Sequence, residues 1–197
     1  MNTDQTRGTH WRMFCAFELP QLLRSRIQEH AQQVREAVPE AAASWSRPDN
    51  IHLTMKFFGN VDQAKFAVIP DALARVAKEF SAIGISVGGT GVFPRPSRPQ
   101  VLWIGIDDRT DELAQLQKRL EDECAREGFP KEDRAFRPHL TIARIRNLNN
   151  ANRLAEAHLR LAFAPVDLVL SELVLFRSEL SPKGSKYTPI SRSRLEH

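Results

Sequence analysis

Apolar residues crowd the stretch WRMFCAFEL (11–19), which reads as a buried first strand. Pro20 follows at a place where its fixed φ suits the opening of a helix, and Leu22, Leu23, Ile27, Val34 and Val38 recur at near-helical spacing through 21–38. A turn at Arg47-Pro48-Asp49-Asn50 leads into the strand IHLTMKFF (51–58), ended by Gly59-Asn60. A second helical stretch spans 63–80 with a break at Pro70, and Ile83, Ile85 and Val87 mark a strand running into Gly88-Gly89. GVFPRPSRP (91–99) reads as a proline-rich basic loop and VLWIGID (101–107) as a strand. Thr110 is the expected N-cap of a helix that runs to Glu127 and stops at Gly128. RPHLTIARI (137–145) returns to strand character, a helix covers 152–161, and VDLVLSELVLFRS (166–178) is strand again. A turn at Lys183-Gly184 precedes a short last strand. Helices interspersed among strands with antiparallel neighbours indicate an α+β fold.

One internal repeat carries chemistry. SRPDNIHLTMKF (46–57) matches AFRPHLTIARI (135–145): an arginine-proline turn, then His-Leu-Thr, then apolar strand residues. His52 and His139 lie 87 positions apart, close to half the chain, as a duplicated two-lobe architecture would place them. Alternation along a strand puts His52 and Thr54 on one face, Lys56 after them, and Ile51, Leu53, Met55 and Phe57 on the other. His139 and Thr141 likewise oppose Leu140 and Ile142. The same alternation sends Arg144 to the apolar face, so it reaches a phosphate only if the strand bulges.

Opening a cyclic phosphodiester requires a base to deprotonate the attacking water and an acid to protonate the departing ribose oxygen. Imidazole suits both steps, because its ordinary pKa near 6.5 allows one copy to be neutral and the other protonated. Threonine hydroxyls can donate to the non-bridging oxygens. One His-x-Thr on a strand is most often structural; two in matching contexts point to a shared site.

Composition changes this picture little. The 197 residues suit one compact domain or two small lobes sharing a core, and 28 Lys and Arg against 24 Asp and Glu give a mild excess of +4. That balance suits an anionic ligand without requiring one. No apolar run approaches the length of a membrane span, and the first residues lack a signal-peptide pattern, so a cytoplasmic protein is expected. Cys15 and Cys124 are read as buried thiols, and neither triplet brings a nearby carboxylate or second histidine, so no metal is expected. His30 and His158 fall in helices as structural or exposed residues, and His10 in the N-terminal tail. Arg95 and Arg98 are read as solvated loop residues able to steer an anionic ligand. Tyr187, the single tyrosine, is a candidate to stack on a base or bond the phosphate. Leu195-Glu196-His197 resembles the start of an expression tag, which sets the domain at 1–194.

The paired triplets resemble the signature of the 2H phosphoesterase superfamily. Together with RMFCAFELP, NIHLTMKFFGNV, GVFPRPSRPQVLWIGI and LVLFRSELSPKGSKYTPI, they resemble its RNA 2',3'-cyclic phosphodiesterase branch, formerly called 2'-5' RNA ligases. The resemblance implies a bilobal α+β fold, with two antiparallel sheets, outer helices and a pseudo-twofold axis through a central cleft. It implies hydrolysis of RNA 2',3'-cyclic phosphodiester ends to 2'-phosphomonoesters, without cofactor, with His52 as proton donor and His139 as acceptor. Thr54, Thr141 and Arg144 are the implied phosphate-binding set, and RNA or nucleotide cyclic-phosphate ends, tRNA-derived ones among them, the implied partners of a monomer. Reversible ATP-independent 2'-5' ligation accompanies the hydrolysis in some relatives. The alternatives are an esterase for a small cyclic or 2'-5'-linked nucleotide, and a non-catalytic RNA-binding module.

Overall fold

The computed structural model describes residues 10–181 and 184–196. Two antiparallel sheets form it. The first has the order β3-β1-β8-β9, from β1 (His10–Glu18), β3 (His52–Asp62), β8 (Glu172–Ser181) and β9 (Gly184–Arg194). The second has the order β2-β6-β5-β4-β7, from β2 (Ala43–Trp45), β4 (Ile83–Arg95), β5 (Arg98–Asp107), β6 (His139–Ile145) and β7 (Val166–Leu170). Helices α1 (Gln21–Ala37) and α5 (Ala151–Arg160) pack together against the second sheet, while α3 (Val68–Ala77) and α4 (Glu112–Arg126) pack together against the first. Thus α1 leaves the first sheet to cover the second, and α4 does the reverse. One continuous apolar core, from Phe17 and Leu53 in the first lobe to Leu102 and Leu140 in the second, lies under both sheets. The expected bilobal α+β fold is present, and no described helix is long and apolar enough to cross a membrane.

The two histidine strands repeat one another down to an irregularity. In β3, Ala16 faces Thr54 and Cys15 faces Lys56, so Met55 is an extra, bulged residue. In β6, Trp103 faces Thr141 and Leu102 faces Ala143, so Ile142 is the extra one. Each bulge falls directly after the threonine and reverses the alternation beyond it. Both strands therefore share one sequence of burial: histidine and threonine half-covered, the residues between and two after them buried, the next exposed. Phe57 and Arg144 occupy that exposed position, again 87 residues apart.

This corrects the reading of Lys56. It faces the core, not the cleft, and its Nζ donates to Glu121 Oε2 at 2.5 Å and to Pro130 O at 3.0 Å. Phe57 moves the opposite way, onto the cleft face.

Other elements differ in detail. The helical stretch after β3 breaks at Ala67, giving α2 (Gln63–Phe66) and α3, with Pro70 inside the first turn of α3, where its missing N–H is not needed. The N-cap of α4 is Asp111 with φ 58°, not Thr110; Asp108 Oδ2 accepts from Ala114 N at 3.0 Å instead. The proline-rich segment is a hairpin, β4 pairing with β5 up to Arg95 opposite Arg98. Gly91 lies against the Trp103 indole there, where a Cβ would fall 2.0 Å from the ring. The stretch 166–178 divides at Ser171, β7 joining one sheet and β8 the other. β9 is 11 residues long, and of its expected turn Lys183 lies outside the described residues. Past the 194 boundary, Leu195 is buried and its N–H donates to Ser171 O at 2.8 Å; His197 lies outside the described residues.

His30 and His158 are both buried. His30 Nε2 lies 3.1 Å from His158 Nδ1, and His158 Nε2 donates to Trp103 O at 3.0 Å, pinning α1 and α5 to β5. Burial, then the neighbouring imidazole, pushes the His30 pKa down to about 4. Cys15 and Cys124 are buried free thiols, both raised by burial, Cys124 to about 12, and neither is an activated nucleophile.

Candidate active site

A cleft of about 810 Å³ lies between the sheets, and His52, Thr54, His139 and Thr141 all line it. Its position follows from the paired strands: apolar residues on the buried side anchor each to its lobe, leaving the polar faces opposed. The segment before β3 is held by the 3-10 turn Pro48–Asn50, with Asn50 Nδ2 donating to Ser185 O at 2.9 Å, and Arg47 Nη2 bonded to the same carbonyl. Just ahead of that turn, Ser46 Oγ donates to Thr141 O at 2.9 Å, tying the wall of the cleft to the second histidine strand.

Both rings are oriented by the backbone two residues upstream. His139 Nδ1 lies 2.7 Å from Arg137 O, and His52 bonds to the backbone of Asn50 in the sense that favours its charged form. A carbonyl only accepts, so Nδ1 of His139 carries the hydrogen and the Nε2 lone pair is free in the neutral ring. His52 stacks on Phe14 at 4.7 Å with Tyr187 edge-on at 5.3 Å; His139 meets the edges of Phe93 at 4.9 Å and Trp103 at 6.5 Å.

These surroundings lower both pKa values. For His52 burial dominates and the charge of a protonated His139 adds to it, against the Asn50 bond, giving about 4. For His139 burial again leads, opposed by the Arg137 bond and reinforced by the Arg144 guanidinium. The protein's own groups thus keep both imidazoles neutral at pH 7. An anion placed between them would reverse the balance, because it stabilises the imidazolium that the apolar walls disfavour.

Arg144 lines the cleft because of the Ile142 bulge. Tyr187, on β9 opposite Ser178, also lines it. Arg95 and Arg98 sit exposed at the tip of the β4–β5 hairpin and are not among the lining residues. Sequence reasoning passed over Phe57, Arg12, Arg47 and Arg146, all in the wall. A signal for Phe57 existed, since the repeat aligns it with Arg144. Among the described residues no group of three or more His, Cys, Asp or Glu could hold a metal ion.

Two imidazoles, two threonine hydroxyls and an arginine thus line one cleft, groups able to move protons and to bind an anion. The family model of the 2'-5' RNA ligase superfamily matches residues 23–182, and the chain belongs to that family. An RNA 2',3'-cyclic phosphodiesterase of Methanothermobacter thermautotrophicus is 33% identical over 93% of this chain and 98% of its own. Protein TT0787 of Thermus thermophilus superposes with a TM-score of 0.76 at 25% identity, covering 93% of this chain and 97% of its own. Escherichia coli LigT complexed with 3'-AMP does so with 0.69 at 26%, covering 95% and 99%.

Proposed function

We propose that the protein hydrolyses RNA 2',3'-cyclic phosphodiester ends to 2'-phosphomonoesters by two-histidine acid–base catalysis. The observation that carries this is the pair of histidines, each at the start of an equivalent strand, each held by the backbone two residues upstream, lining one cleft. His139 Nε2 takes a proton from water as its oxygen attacks phosphorus. The bond from phosphorus to O3' breaks, and His52 delivers a proton to O3', leaving a 2'-phosphate and a free 3'-hydroxyl. Arg144 beside His139 works against a proton there, in keeping with His139 as the base. The deeper depression of His52 makes the acid role depend on the bound phosphate to hold the proton that His52 delivers. Thr54, Thr141 and Arg144 donate to the non-bridging oxygens, where charge builds in the transition state. Tyr187 presents aromatic surface to the base. With the 5'-hydroxyl of a second strand in place of water, the same forward step, attack on phosphorus with loss of O3', joins RNA ends in a 2'-5' linkage.

The test is incubation with 2',3'-cyclic AMP in excess chelator: 2'-AMP is the expected product, and 3'-AMP or no turnover would refute the assignment. The pH dependence is a second, separate expectation. The active form has His52 protonated and His139 neutral, so activity falls at low pH as His139 gains a proton and at high pH as His52 loses one. Both free-enzyme values are depressed, so kcat/KM is expected to peak below pH 6.5. Bound phosphate raises the value for His52, so the alkaline limb of kcat lies at higher pH than that of kcat/KM. Coincident alkaline limbs would contradict the coupling between phosphate and His52.

A further inference from the structure

The cleft carries more positive charge than one cyclic phosphate accounts for. Arg12, Arg47, Arg144 and Arg146 all line it, and no aspartate or glutamate does. None of the four lies within ion-pair distance of a carboxylate among the described residues, whereas Arg75, Arg119, Arg134 and Arg192 elsewhere are each bound to glutamates. Arg47 is engaged with Ser185 O and Arg146 Nε with Ser44 Oγ at 2.5 Å, neutral partners that aim the guanidinium without cancelling it. Arg12 lies 5.2 Å from the centroid of the Phe57 ring. Collecting unpaired like charges in one cleft costs self-repulsion, which an anion must offset.

Their placement separates them into two groups. Arg144 follows Thr141 on the cleft side of the His139 strand, close enough for its charge to work against a proton on His139, and in the proposed reaction it belongs with the scissile phosphate. Arg146 stands two residues further along the chain and is exposed, beside edge strand β2. On the other lobe Arg12, also exposed, pairs across β1 with Asn60 and Ser178, beyond Phe57 and away from His52. Apolar surface lies beside them: Phe57 is 48% and Leu180 71% exposed, both in the cleft wall.

We infer that the outer part of the cleft is a second phosphate subsite, in which Arg12 from one lobe and Arg146 from the other hold the phosphodiester upstream of the scissile one. The inference rests on the proposed reaction and narrows it: the end of a single strand is a better substrate than a free cyclic nucleotide, because only the strand fills the outer subsite. The exposed apolar surface of Phe57, whose ring also stacks on Phe14, and of Leu180 receives the adjoining base, a contact indifferent to base identity.

Two measurements on the full chain test it. Binding of a fluorescent trinucleotide ending in a 2'-phosphate is followed by anisotropy across a salt series. Each lost phosphate contact to a single strand flattens the slope of log K against log salt by about 0.7, so Arg12→Gln/Arg146→Gln is expected to flatten it by about 1.4. In parallel, kcat/KM is compared for a trinucleotide 2',3'-cyclic phosphate and for 2',3'-cyclic AMP. The parent is expected to favour the trinucleotide by about tenfold or more at low salt, and the double variant to lose most of that preference. An unchanged salt slope, or equal kcat/KM for both substrates in the parent, overturns the subsite. A flattened slope without turnover of any cyclic phosphate would instead retain the subsite and remove the proposed reaction.

Discussion

His52→Ala and His139→Ala are each expected to lower kcat for a cyclic phosphate by about 10²–10⁴, with a much smaller rise in KM, since a positioned proton transfer contributes about that much. The loss appears in kcat because the imidazoles act on charge that develops during reaction, while Arg144 and the threonines hold the ground-state phosphate. The double variant is expected to be little worse than the weaker single one. Once either transfer is lost the step is no longer concerted, and the surviving ring has less to contribute. Both rings line the cleft, so the variants should unfold within a few degrees of the parent. Steady-state kinetics with matched thermal melts decides the matter: either variant within about tenfold of the parent would remove that histidine from the chemistry.

The His-Leu-Thr repeat exposed the essential geometry before any coordinates, because a histidine and a threonine two apart on a strand must share a face. The core face was equally legible as far as Leu53 and Leu140. Beyond Thr54 and Thr141 alternation failed, and for one reason in both lobes. The bulges at Met55 and Ile142 arise from how β3 and β6 pair with β1 and β5, a non-local property that periodicity does not encode. Arg144 consequently reached the cleft, Lys56 left it, and Phe57 took its place. The stretch 166–178 misled for a related cause: its apolar residues continue across Ser171, while the chain there changes sheets. The hairpin at 91–99 was hidden by its prolines, which suit a loop but are tolerated where strand pairing ends.

Lys56→Met is expected to destabilise the fold by about 3–5 kcal/mol, the cost of removing one partner of a buried ion pair. The Met55 bulge is what makes this lysine structural. It turns Lys56 inward, where only 3% of the residue is exposed, at the position that Ala143 fills in the other lobe without any charge. Its partner Glu121, on α4, is also buried and accepts from Gln117 Nε2 at 3.2 Å and Glu132 N at 3.2 Å. Without Lys56 those two neutral donors face an uncompensated carboxylate in an apolar setting. Lys56→Met/Glu121→Gln is therefore expected to recover most of the loss, since the double variant buries no net charge while an amide oxygen still accepts from Glu132 N. Urea unfolding of the parent and both variants measures it, with unchanged m-values required for the comparison. A loss below about 1 kcal/mol in the single variant would mean the pair behaves as an exposed one, and that the bulge does not bury Lys56 in solution.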